Sequence, residues 1–257
     1  MKIQYMSDLH LEFGGMPVPE KVGDVLVLAG DIHVGTDAIP WIEQCAQKFD
    51  KVFYVLGNHE YYGQKYWKLH QAIEASLTGY SVNTNYKVTK IFDPISNAHL
   101  LDDQVYTYKG VNFIGSTLWS MPQANCPLND FQYIKYKYPG GYGKLSQKEA
   151  GLLHFKHKNY LLDATQKLAG QTNVVITHHA PSWMARDPKY TDPVIGSGFY
   201  TDILEDFEPK NIAAWIYGHT HSNIDFHEHG IHAFTNQRGY AGHGWVPDFD
   251  STKYIEV

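Results

Sequence analysis

Five short apolar runs in this chain each lead directly into residues that bind metals. Residues 3–6 run into Asp8-Leu9-His10, 25–29 into Gly30-Asp31, 52–56 into Gly57-Asn58-His59-Glu60, 174–177 into His178-His179, and 212–217 into Gly218-His219-Thr220-His221. The runs are short, rich in β-branched residues and not alternating, as in strands buried on both faces. A residue at the carboxyl end of such a strand points into the crevice where open α/β sheets bind ligands. Five such ends can gather hard and borderline donors around one point, the arrangement of a metal-dependent enzyme.

Helical patterns at about 37–49 and 61–77 separate the early runs, so the first 80 residues read as βαβαβ, a parallel sheet with right-handed crossovers. The texture then changes to short strand-like pieces at 99–101, 105–108 and 111–115, the last two joined by Lys109-Gly110 as a hairpin, which marks a second sheet. Residues 116–143 are rich in Pro, Gly, Asn and Tyr and form a connection longer than most in a compact domain. Disordered segments are poor in aromatics, so Trp119, Phe131, Tyr133, Tyr136, Tyr138 and Tyr142 favour an ordered lid there.

Ser146-Gln147-Lys148-Glu149 is a capping box that opens a helix to about Leu168, with Gly170 just past its end. This helix is expected to return the chain to the parallel sheet. A second irregular loop covers 181–198, and strand-like pieces follow at 224–228, 231–234 and 253–257. The expectation is one domain over 1–257, with the aromatic loop at about 116–143 as an insertion.

The bulk numbers narrow the class. With 43% hydrophobic and 19% charged residues the composition is that of a soluble protein, and no apolar run approaches the length of a bilayer span. Met1-Lys2-Ile3-Gln4-Tyr5 leads straight into the first motif and leaves no room for a signal peptide, so a cytoplasmic location is expected. Cys45 and Cys126 are too few for a disulfide framework and lack CxxC spacing, so both read as packing residues. A net charge of −6, from 27 acidic and 21 basic side chains, argues against an extended nucleic-acid footprint.

Taken in order, Asp8 and His10 (DxH), Gly30-Asp31 (GD), Gly57–Glu60 (GNHE), His178 at a strand end and Gly218–His221 (GHxH) resemble the calcineurin-like metallophosphoesterase superfamily over the whole chain. The resemblance implies an α/β fold of four layers, an α/β/β/α sandwich in which two sheets pack face to face with helices outside, and a dinuclear site at the strand ends. It implies that Asp8, His10, Asp31 and His221 hold one metal, and that Asp31, Asn58, His178 and His219 hold the other. The chemistry is consistent: a carboxylate such as Asp31 can bridge two cations, and Asn58 adds a neutral oxygen. A donor set of N and O without thiolate suits two divalent or mixed-valence ions of manganese, iron, zinc or cobalt.

His59, beside Asn58, matches the family's catalytic histidine, which protonates the leaving alkoxide or stabilises charge there. Glu60 reads either as its supporting partner or as a first-turn acid. Adjacent side chains on extended backbone point opposite ways, so of His178 and His179 only one binds metal. His33 reads as a loop residue, and His227, His229 and His232 as surface histidines. Asn129, Asp130 and Arg238 are the candidates for substrate contact. The segments around them, with Thr117-Leu118-Trp119, are similar to a bacterial subgroup of these phosphoesterases, and Arg238 can fork onto a phosphate oxygen.

Two cations that share a water lower its pKa toward neutrality and aim it in line at phosphorus. The expected activity is hydrolysis of a small phosphodiester or phosphomonoester, a nucleotide among them, with no membrane partner. Two other readings stay open: a metal-dependent nuclease, for which Lys135, Lys137 and Lys144 would supply charge, and a catalytically silent binding scaffold.

Overall fold

In the computed structural model, which describes residues 1–78, 80–82, 88–90, 95, 97–242 and 244–257, two mixed sheets stack face to face. The first contains β1 (Lys2–Met6), β2 (Val25–Ala29), β3 (Lys51–Val55) and β4 (Ala98–Leu100), all parallel. The second contains β5 (Gln104–Tyr108), β6 (Val111–Ser116), β7 (Thr172–Thr177), β8 (Ala214–Tyr217), β9 (Phe226–Glu228) and β10 (Ile231–Thr235). Its spatial order is β9-β10-β8-β7-β6-β5, with antiparallel pairs only at the two edges. The C-terminal β11 (Tyr254–Glu256) pairs antiparallel with β1 and closes that edge of the first sheet.

Although every residue of β2 is buried, its side chains still alternate between two environments. Val25, Val27 and Ala29 enter the core between the sheets, where Phe53 stacks on Phe113 at 4.1 Å. Leu26 and Leu28 face outward onto α1 (Ile39–Ala46) and α2 (Tyr66–Thr78). On the far side, Val175 and Trp215 share a cluster with Leu161 and Ala164 of α3 (Gln147–Lys167). This is the four-layer sandwich, helices outside and sheets inside, and it explains why a continuous apolar run serves as a strand. Ser146 caps the start of α3 as read, its side chain accepting from the Glu149 amide, while the Glu149 carboxylate accepts from Ser146 Oγ.

One expectation changes. The runs at 174–177 and 212–217 do not join the first parallel sheet; they lie in the second, where β7 pairs with β6 and β8 with β7. An apolar run reports burial on both faces, and both sheets of a sandwich have that, so the run alone could not assign the sheet. The second sheet is therefore parallel in its middle rather than a set of hairpins. The aromatic stretch is ordered by packing, and its Leu128, Asn129 and Asp130 border a cavity. Trp119 is buried against Tyr61 and His179, Phe131 is buried, and residues 135–144 form a small hairpin that leaves Tyr142 exposed. Cys45 and Cys126 are both buried free thiols. Among the described residues no helix is long and apolar enough to cross a membrane.

Candidate metal centre

The loops after β1, β2 and β3 meet the loops after β7 and β8 at one edge of the sandwich, so the centre straddles the joint between the sheets. Backbone bonds hold the loops together: the amides of Asp8 and His10 donate to the carbonyls of Gly30 and Asp31, and the Gly218 amide donates to His178. Asp8, His10, Asp31, His219 and His221 all have left-handed backbone, with φ of 52°, 43°, 54°, 72° and 47°. That conformation costs a non-glycine residue about 1–2 kcal/mol, and such strain collects where a site demands it. Glycine is required beside these turns. A Cβ on Gly57 would land on the Asp31 carboxylate, and one on Gly30, itself at φ +88°, would run into the His178 ring.

Two groups of donors share Asp31. On one side, His10 Nε2 lies 2.9 Å from His221 Nε2 and 3.7 Å from Asp31 Oδ2, while His221 Nε2 is 3.4 Å from Asp8 Oδ1. On the other, His178 Nε2 lies 3.0 Å from Asn58 Oδ1, 3.1 Å from His219 Nδ1 and 3.4 Å from Asp31 Oδ1. The second nitrogen of each ring shows what these atoms carry. His178 Nδ1 donates to the Ala29 carbonyl and His219 Nε2 to the Gly198 carbonyl, so the nitrogens that face each other both present lone pairs. With each ring neutral and protonated on its outer nitrogen, four electron-pair donors converge, an arrangement that fits a cation. Burial opposes charge on His178, yet the Asp31 carboxylate outweighs it and lifts the metal-free imidazole up to about 10, so that a cation bound here would take the place of the proton on Nε2. The same pull on positive charge would hold a metal.

His59 sits at the rim on the short helical turn His59–Tyr61. Its Nδ1 donates to Glu12 Oε1 at 2.9 Å, and its Nε2 lies 3.4 Å from the Tyr240 hydroxyl. The same Glu12 oxygen accepts from His10 Nδ1 at 3.2 Å, so one carboxylate orients both a proposed ligand and the rim histidine. Burial raises the Glu12 carboxyl, but the hydrogen bonds from His10 and His59 prevail and bring it to about 2. Burial lowers His59, while Asp31 and Glu12 prevail and lift it to about 9. Glu60 is fully buried and accepts from the amides of Asp31, Ile32 and Gly57 and from Tyr54 Oη, clamping the GD and GNHE turns together. Burial and the charge of Asp31 push it up to about 7.

The candidates for substrate contact separate. Asn129 lines a cavity of roughly 530 Å³ above the donors, with its side chain exposed. Asp130 reaches the same cavity but is buried, and its Oδ1 accepts from Asn58 Nδ2 at 2.8 Å and Tyr62 Oη at 2.8 Å, which turns the Asn58 carbonyl oxygen toward His178. Arg238 is not in the cavity wall. Its guanidinium is buried, donates three of its N–H groups to the carbonyls of Leu9, Gly14 and Gly15 and lies over Trp245, which ties it to the loop instead of the cavity. It braces the loop that carries His10 and Glu12. His179 is not among the converging donors: its Nδ1 lies 3.3 Å from the Thr117 carbonyl and its ring packs on that of His219 at 4.1 Å. His33 stays in its loop, with Nδ1 accepting from the Val34 amide, and His227, His229 and His232 are exposed. Sequence reasoning passed over Glu12, whose only signal is its place two residues after His10, and Tyr62, which carries no motif of its own.

Comparison with known proteins agrees with this geometry. Residues 1–223 match the model of the calcineurin-like phosphoesterase family. Uncharacterized protein L509 of Acanthamoeba polyphaga mimivirus is 28% identical over 283 residues, covering 99% of this chain and 96% of its own length. The crystal structure of the phosphopantetheinyl hydrolase PptH from Mycobacterium tuberculosis shares the fold, with a TM-score of 0.71 at 17% identity over 100% of this chain and 95% of that one. Buried His/Asp clusters at the strand ends are consistent with a dinuclear metal site, and the chain belongs to the calcineurin-like phosphoesterase family.

Proposed function

We propose that this protein hydrolyses a small phosphate ester, a phosphomonoester or phosphodiester of nucleotide size or below, with two metal ions held by Asp8, His10, Asp31 and His221 and by Asp31, Asn58, His178 and His219. The observation that carries the proposal is the convergence of lone-pair donors on both sides of Asp31 at the floor of the cavity. When bound, two such cations supply an activated water and neutralise phosphate oxygens. Asp8 and Asp31 are the only carboxylates in the set, so a pair of divalent ions would leave a net positive floor, complementary to a phosphate dianion.

The remaining chemistry belongs to the chain. His59 Nε2 faces the cavity and is placed to give a proton to the departing oxygen, while Glu12 fixes the ring through Nδ1. Asp130 and Tyr62 keep the Asn58 amide from flipping its nitrogen toward the metals. Among the described residues Lys189 is the one lysine in the cavity lining and no arginine joins it, which favours a small ester over a nucleic-acid strand.

The test is a screen of manganese-loaded protein against nitrophenyl phosphate, bis-nitrophenyl phosphate, cyclic nucleotides, a phosphopantetheinyl ester and short oligonucleotides. Turnover of a small ester with little action on oligonucleotides is expected. Preferred cleavage of oligonucleotides would move the reading to a nuclease, and metal-loaded protein inert toward every ester would move it to a scaffold.

A further inference from the structure

The floor of the cavity is polar, but the wall facing it is not. Leu128, Tyr190, Ile195 and Phe199 line that wall, and Phe199 stacks on the proposed ligand His219 at 4.6 Å. Tyr190 is 53% and Ile195 41% exposed, large apolar surfaces that the chain leaves facing the opening. They are held there by a built turn: the Asp192 carboxylate accepts from the Val194 and Ile195 amides, and Ser197 Oγ donates to the Val194 carbonyl and accepts from the Gln123 amide. The charges of this wall are already engaged. Asp192 caps the turn, and Lys189 is paired with Asp187 at 2.7 Å and lies over the Tyr190 ring at 4.8 Å.

Resting on the phosphoesterase reading above, we infer that the wall of Tyr190, Ile195 and Phe199 is a subsite for a flat, uncharged ring, so that the substrate is a single-phosphate ester whose alcohol part carries an aromatic or heteroaromatic group. A second phosphate would meet apolar surface and a lysine already neutralised, whereas a ring would cover Tyr190 and Ile195 and remove their apolar area from water. The cavity, at about 530 Å³, lies within the range of sites that enclose a small organic ligand, and a phosphate alone would leave most of it unfilled.

Binding of phenylphosphonate and methylphosphonate to manganese-loaded protein, measured by calorimetry, tests this without turnover. The phenyl compound should bind about tenfold more tightly or better. Tyr190→Ala and Ile195→Ser, checked for folding by thermal melts, should each shrink that ratio, and the pair together should bring it near one. Equal binding of the two phosphonates by wild-type protein, or a ratio that survives both substitutions, would overturn the ring subsite and leave the phosphoesterase reading standing. Binding of neither, with no ester turned over, would remove that reading and the subsite with it.

Discussion

The strand-end centre and a second cluster beside α2 and α3 use the same residue types, and they differ in how each side chain is held. In the second cluster, Asp102, Asp103 and His157 bring ligand atoms within 4.8 Å of one another, as the strand-end groups do. Yet the Asp102 carboxylate pairs with His70, and Asp103 accepts from Ser116 Oγ and pairs with Lys156 at 2.7 Å. His157 is buried with neither ring nitrogen partnered, its Nε2 4.0 Å from Asp103. At the strand ends, by contrast, His10, His178 and His219 are each fixed through one nitrogen so that the other faces the convergence. A metal centre is thus marked by outer partners that aim lone pairs, more than by a census of histidine and carboxylate.

Substitutions can break that comparison in order of expected effect. Asp31→Asn should be the most severe, since Asp31 faces both donor groups: metal analysis should show loss of bound ions, and turnover should fall by roughly 10³-fold or more. A fully active, metal-replete variant would defeat the bridging role. His59→Ala should keep its metal and lose about 10²–10⁴-fold in rate, most for poor leaving groups and least for nitrophenyl esters. A loss independent of the leaving group would argue against proton donation.

Asp130→Ala should act through Asn58, weakening the ion on the His178 side by about 10–100-fold while the His10 side holds, with Asp130→Asn milder because an acceptor oxygen remains. Titration of metal content separates these outcomes; equal weakening of both ions would leave Asp130 as packing alone.

The smallest effect belongs to the second cluster. His157→Gln should change neither metal content nor turnover and should alter only the pH dependence of stability. Burial lowers His157 to about 4, against nearby Asp103 and Asp102, which raise it, while Lys156 and His70 lower it further. The unfolded chain takes up a proton near pH 6.5 and the folded chain does not, so stability is intact above that pH. It declines as pH falls toward about 4, by up to about 3 kcal/mol from this group. Denaturant melts across that window should show a shallower decline in His157→Gln, and an unchanged slope would contradict the assignment.

These contrasts also show what could be read in advance. The strand-end donors were legible because a buried strand delivers its next residues to a fixed edge, and the motifs keep that short spacing. The partner that aims them was not. Glu12 reaches His59 only through the turn braced by Arg238, and Asp130 meets Asn58 across 72 positions of chain. Arg238 itself misled because a guanidinium suits phosphate and carbonyl oxygens equally, and only the fold supplies three carbonyls. The sheet that takes residues 172–177 was likewise hidden, since burial on both faces is common to both sheets.

The most direct test is anomalous diffraction from crystals soaked in manganese, recorded alongside metal analysis of the same protein. Two peaks flanking the Asp31 carboxylate, with none at His157, are the expected result. A vacant strand-end centre after soaking, or a peak held by Asp102, Asp103 and His157 in its place, would contradict the account.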